Sequence, residues 1–189
     1  MGEMEFSEPI LNTPFSVIEQ ELRDYKTSVK DSLSEESWQL LNQVEQEAEA
    51  RRHNFAGTAD LLLMLTNQPA IQGGVLTKLG VSSEEIQARI NRIIYPEHSA
   101  MVRPEFLGYT ERLEQSLNLA VAKAQLDDRQ MDLDDLFYGL AMARGFAAKL
   151  LNSFGINQTK LIKDGVLSKD QMRQAYRLSR HPKVISQVS

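Results

Sequence analysis

Apolar residues recur along most of this chain at steps of three and four, the spacing of one face of an α-helix. Phe15, Ile18, Leu22, Tyr25 and Val29 form the first such stripe. Thr13 and Pro14 before it suit an N-cap and a first helical position. Ser34 with Glu35 and Glu36 opens a second helix, with Leu40, Leu41, Val44 and Ala48 turned inward. The connector His53-Asn54-Phe55-Ala56-Gly57 leads to Thr58, which is expected to cap a short helix. Its run over 61–65 is apolar on nearly every side, so that helix should be buried. Leu76-Thr77-Lys78-Leu79 then stops at Gly80, the residue type that ends helices in a left-handed conformation. Ser82-Ser83-Glu84-Glu85 reads as a capping box, and Ile86, Ile90, Ile93 and Ile94 follow as an apolar side. Pro96 ends that helix, and Tyr95 to Gly108 is a linker.

The same series then returns. Thr110 starts a long helix with Leu113, Leu117, Val121 and Ala124 inward, and Asp132 caps a short apolar helix through Leu133, Leu136, Phe137 and Leu140. Phe154 stops at Gly155 as Leu79 stops at Gly80, and Asn157 opens a helix through Leu161 and Ile162. Matching segments are separated by a constant offset, which predicts an internal repeat packed with pseudo-twofold symmetry. Ser168-Lys169-Asp170-Gln171 opens one last helix, closed by Pro182. The expected fold is all-α: two tandem pseudo-symmetric four-helix repeats with extra N- and C-terminal helices. The expected divisions are an N-terminal extension with an amphipathic helix over 1–32, the double repeat over 33–166 (33–94 and 109–166), and a basic C-terminal helix and tail over 167–189.

The stretch from Arg52-His53-Asn54 through Gly57-Thr58-Ala59-Asp60 to the leucines of 61–65 resembles the Clp N-terminal repeat domain. That signature is a histidine-asparagine turn, then Gly-Thr-Glu-His, then a leucine-rich helix. Leu79-Gly80-Val81 is similar to the family's closing turn, and Phe154-Gly155-Ile156 repeats it in the second half. The resemblance implies a docking domain without catalysis or cofactor: an adaptor, accessory or regulatory subunit of a Clp-type protease or unfoldase. The free-standing form, similar to accessory proteins of Clp proteases, is the better match. Its partners would be a Clp protease core, a Clp ATPase or a client protein, and self-association is compatible with it. In some members the signature glutamate helps to recognise phosphorylated arginine. Ala59 and Asp134 stand at that position in the two repeats, which puts that recognition in doubt. Candidate partner-binding residues are Thr58, Asp60, Asp134 and Asp135 at the starts of the short helices. Phe15, Ile18 and Leu22 on the leading stripe complete the set.

Composition narrows the alternatives. The 189 residues contain no cysteine, which removes disulfides, thiolate metal sites and cysteine nucleophiles. His53, His98 and His181 lie too far apart for a helical zinc motif, and Gly73-Gly74 is not followed by the Gly-Lys-Ser/Thr of a phosphate loop. The acidic cluster of Asp127, Asp128, Asp132, Asp134 and Asp135 lacks the glycine of a calcium loop and is expected to cap its helix. No apolar run is long enough to span a bilayer, and the acidic N-terminus has the wrong sign for a targeting segment. A cytoplasmic location is expected. The net charge of −5 hides an asymmetry, with an acidic first quarter and a basic end. Lys169, Arg173, Arg177 and Arg180 on the last helix support an alternative reading, a DNA-associated regulatory protein. The acidic chain as a whole argues against nucleic acid as the partner.

Overall fold

A computed structural model describes residues 29–51, 53–94, 108–165 and 167–180. Phe15, Ile18 and Leu22 on the leading stripe lie outside these described residues, as do Pro96, His98, His181 and Pro182. The protein is all-α apart from two strands of two residues each among the described residues. A single 3-10 turn, Lys30–Ser32, precedes α1 (Glu35–Ala50). Ser34 caps α1 by accepting from the Ser37 amide at 3.2 Å. Strand β1 (Phe55–Ala56) leads into α2 (Thr58–Thr66). Next comes α3, helical as Pro69–Ile71, Gln72–Leu76 and Thr77–Leu79, the middle piece a π-turn. Gly80 ends it at φ 68°, where a side chain would be strained. The first half closes with α4 (Ser83–Ile94).

The second half follows the same order. Strand β2 (Gly108–Tyr109) precedes α5 (Glu111–Leu126), capped by Thr110, and then α6 (Leu133–Met142), capped by Asp132. Helix α7 (Phe146–Ser153) ends before Gly155 at φ 77°, and α8 (Gln158–Lys163) follows with Asn157 as its cap. Last comes α9 (Lys169–Ser179), where Ser168 and Gln171 exchange bonds of 3.1 and 3.0 Å in a reciprocal cap.

The halves interlock by an exchange of backbone. Leu33, ahead of α1, bridges in parallel to Met131, ahead of α6. Phe55 and Ala56, ahead of α2, pair in parallel with Gly108 and Tyr109, ahead of α5. The amides just beyond behave alike: Ser34 donates to the Met131 carbonyl and Thr110 to the Ala56 carbonyl, each at 2.9 Å. The entry to each long helix is thus tied to the entry of the other half's short helix. These paired strands had no periodic signal in the sequence, because two residues cannot show alternation.

The core lies where the short apolar helices meet. Helix α2 packs against α5, α6 and α7, and Leu61, Leu62, Leu65, Phe137 and Leu140 are fully buried or nearly so. Leu65→Ala should therefore cost about 2–5 kcal/mol, the usual range for a leucine removed from a packed core, as measured by urea denaturation. Two sequence expectations need correction: Ile93 on the apolar side of α4, and Phe154, which the repeat makes the counterpart of Leu79 and places between the halves. Ile93 is 52% exposed, because Ile86 and Ile90 already fill the inward arc of α4. Phe154 is only partly buried at the edge of the core, since the chain turns outward there into Gly155.

Candidate partner-binding site

The two short-helix starts carry the buried carboxylates of the described residues, Asp60 and Asp135. Gly57, not Thr58, occupies the cap position of α2. Lacking a side chain, it caps through its backbone: its amide donates to the Asp60 carboxylate at 2.8 Å and its carbonyl accepts from the Leu61 amide at 3.2 Å. Thr58 is the first helical residue, 6% exposed, and its hydroxyl accepts from the Ala147 amide of α7 at 3.4 Å. His53 brings Nδ1 to 3.3 Å from the Asp60 carboxylate.

At the start of α6 the same architecture carries full charges. Asp132 and Asp135 cap each other's amides at 3.0 and 3.1 Å. The Asp135 side chain is fully buried, yet all of its acceptor capacity is used. One oxygen accepts from Lys123 at 2.8 Å and Arg129 at 2.9 Å, the other from Arg129 at 2.5 Å and the Asp132 amide at 3.1 Å. A carboxylate offers about four lone-pair sites, and here each has a donor. Asp127 completes the network, 3.3 Å from Lys123 and 3.6 Å from Arg129. Burial pushes the Asp135 carboxyl up, but hydrogen bonds from Arg129, Lys123 and the Asp132 amide outweigh it and hold the group below its ordinary range. Asp132 goes the other way: burial, with the Asp135 charge beside it, raises its carboxyl.

His53 and Arg129 occupy corresponding places. The His53 amide bonds back to the Ala48 carbonyl of α1 at 2.8 Å, and the Arg129 amide to the Ala124 carbonyl of α5 at 3.2 Å. Each then reaches the third residue of the following short helix. Sequence reading placed the carboxylates but missed Lys123 and Arg129, because a lysine on a long helix looks like a solvated residue until its partner is known. The spacing of Asp60 and Asp135 was the one available signal.

Thr58, Asp60 and Asp135 are thus engaged inside the protein, whereas Asp134 is exposed. Ala59, one residue before Asp60, is buried as well. Among the described residues no group of three His, Cys, Asp or Glu side chains could hold a metal ion. No helix there is long and apolar enough to cross a membrane.

Fold and buried charge together define a helical module of two interlocked halves, each opening its short helix on a buried aspartate. The Clp repeat (R) N-terminal domain model matches residues 32–154, and the protein belongs to that family. Chaperone protein ClpB of Prochlorococcus marinus is 26% identical over 141 residues, 74% of this chain and 16% of that protein. A ClpA homologue of Guillardia theta, an ATP-dependent Clp protease ATP-binding subunit, is 28% identical over 134 residues, 69% of this chain and 16% of that protein. Chloroplastic ClpC1 of Oryza sativa subsp. japonica is 27% identical over 134 residues, 69% of this chain and 14% of that protein. The chain therefore spans about one sixth of the length of these relatives. Helices α8 and α9 lie beyond the matched residues.

Proposed function

We propose that the protein is a non-enzymatic binding module, an adaptor, accessory or regulatory subunit of a Clp-type protease or unfoldase. The observation that carries this reading is the family match over 32–154, which takes in α1 to α7, including the interlocked strands. The relatives that share this region are chaperones and ATP-binding subunits of Clp proteases, so the partner is a Clp protease core, a Clp ATPase or a client protein. We assign partner contact to the exposed Asp134 and to Phe15, Ile18 and Leu22, with Thr58, Asp60 and Asp135 fixing the helix starts from within. The body is read as two copies of one unit, 33–94 and 109–166. The exchanged backbone pairs and the matched helix order support that division.

Affinity capture on the tagged full chain from native extract, treated with nuclease, tests the assignment. Recovery of Clp protease subunits or a Clp ATPase is the expected result. Recovery of nucleic acid from an untreated sample, with no Clp component in either, would favour the alternative of a DNA-associated regulator acting through α9.

Arginine phosphate should bind weakly or not at all. Such a site needs a helix N-terminus for the phosphate and a carboxylate for the guanidinium. In α2 the Thr58 hydroxyl is engaged and Ala59 supplies no carboxylate. In α6 the Asp132 carboxylate already caps the helix start where a phosphate would sit, and Asp135 is buried and fully bonded, against a helix-end gain of only about 0.3–1 kcal/mol. Calorimetry decides: micromolar binding that disappears in Asp134→Ala would contradict this.

A further inference from the structure

Helix α9 lies outside the residues that the family model matches, and it forms one wall of a groove. It is firmly seated on α5. Ala175 is fully buried, the Tyr176 hydroxyl donates to the Met142 carbonyl at 2.6 Å, and Gln158 donates to that same hydroxyl at 3.1 Å. Between α9, the start of α5, the turn after α6 and helix α7 runs an open groove of about 1440 Å³. Its walls carry Arg112, Arg144, Lys149 and Arg180, all exposed, and among the described residues no carboxylate lines it. Among the described residues, none of these four cations is ion-paired to an acidic side chain; Arg112 donates only to Gln115, at 2.9 Å. Helix α7 also starts at this groove; its cap, Gly145, offers no side-chain acceptor, and the Thr58 hydroxyl takes up only the Ala147 amide, so the helix dipole adds to the positive field. Phe146 and the Tyr176 ring bring apolar surface to the same place.

Four unspent cations on a protein of net charge −5 are a local feature with a local complement. We propose that this groove binds an acidic, partly apolar polypeptide segment of a partner protein. Carboxylates would meet the exposed guanidinium and ammonium groups, giving orientation and on-rate, while apolar side chains would cover Phe146 and Tyr176. Single-stranded nucleic acid fits less well. It would want a row of free aromatic faces for base stacking, and the groove has only these two rings. The proposal goes beyond the Clp assignment, holds for any partner with such a segment, and leaves that assignment standing if it fails.

The test is fluorescence anisotropy on the full chain with three labelled probes: a peptide of Asp, Glu and Leu, its Asn, Gln and Leu counterpart, and an oligo-dT of equal length. The acidic peptide should bind best, and affinity should fall as salt rises. The double variant Arg144→Glu, Lys149→Glu should weaken it by about tenfold or more, the scale of two surface ion pairs turned into repulsions. Both positions are exposed, so circular dichroism should show an unchanged fold. Lys169→Glu with Arg173→Glu, exposed on α9 but outside the groove, should leave binding within about twofold. Four results would overturn the proposal: no acidic-peptide binding, equal binding of the neutral peptide, equal loss in both double variants, or tighter binding of oligo-dT.

Discussion

Asp135→Ala should destabilise the protein by about 3–5 kcal/mol, the range for removing one partner of a buried ion pair. The wild-type carboxylate has four donors and no exposed surface; the variant removes the acceptor and leaves the donors. Arg129 is 35% exposed on its side chain and can turn to water. Lys123, with a side chain 11% exposed, cannot do so freely and keeps Asp127 at 3.3 Å and, 6.0 Å away, the face of the Tyr138 ring. Such a loss is a large part of the 5–15 kcal/mol typical of a folded domain, and urea unfolding would read it directly. Asp135→Asn should cost less, because an amide oxygen can still accept from the Asp132 amide. The pH dependence has a defined sign. Asp135 is held below its unfolded value, so its stabilisation is complete above about pH 4 and is lost as pH falls through the lower folded value. Asp132, raised by burial, contributes in the opposite sense, and acid relieves it. Wild type should therefore lose more stability than Asp135→Ala on acidification below about pH 4; parallel curves would contradict the network as described.

Gly139→Ala should also destabilise, by about 1–3 kcal/mol, although alanine is intrinsically about 1 kcal/mol better than glycine within a helix. An added Cβ would lie 2.2 Å from the Ser116 carbonyl oxygen and 3.1 Å from the Ala120 Cβ. The nearest obstacle is backbone, which no rotamer change can move, so α5 and α6 would have to separate. Gly73→Ala is the matched control. It lies in the helical run of α3 with nothing within 4 Å of an added Cβ, so it should stabilise by about 0.5–1 kcal/mol. Opposite signs from one chemical change would isolate helix contact from helix propensity. A neutral or stabilising result at Gly139, by urea unfolding, would mean that α5 and α6 are less closely packed than described here.

Helices and their ends were the legible part of the sequence, because cap chemistry is local. Ser34, Thr110, Asp132, Asn157 and Ser168 each accept from an amide three residues on, and spacing alone reveals that. Gly80 and Gly155 were equally plain. The start of α2 was misjudged by one residue, since Gly57 serves as a cap through the Asp60 side chain, which no Ser/Thr rule anticipates. What stayed hidden depends on contacts distant in sequence. Leu33 meets Met131, Thr58 holds Ala147, and Arg180 joins Arg112, Arg144 and Lys149 at the groove only once α9 has docked. Asp135 drew notice as part of an acidic cluster, yet one of its four bonds comes from Lys123 on α5 and two from Arg129 in the turn beyond it.

Sedimentation velocity on purified proteins tests the proposed binding of a Clp component most directly. The full chain, mixed with a Clp protease core and separately with a Clp ATPase from the same source, should co-sediment with one of them at micromolar concentration or below. If it sediments alone in both mixtures, with and without ATP and a client protein, the account of its function is contradicted.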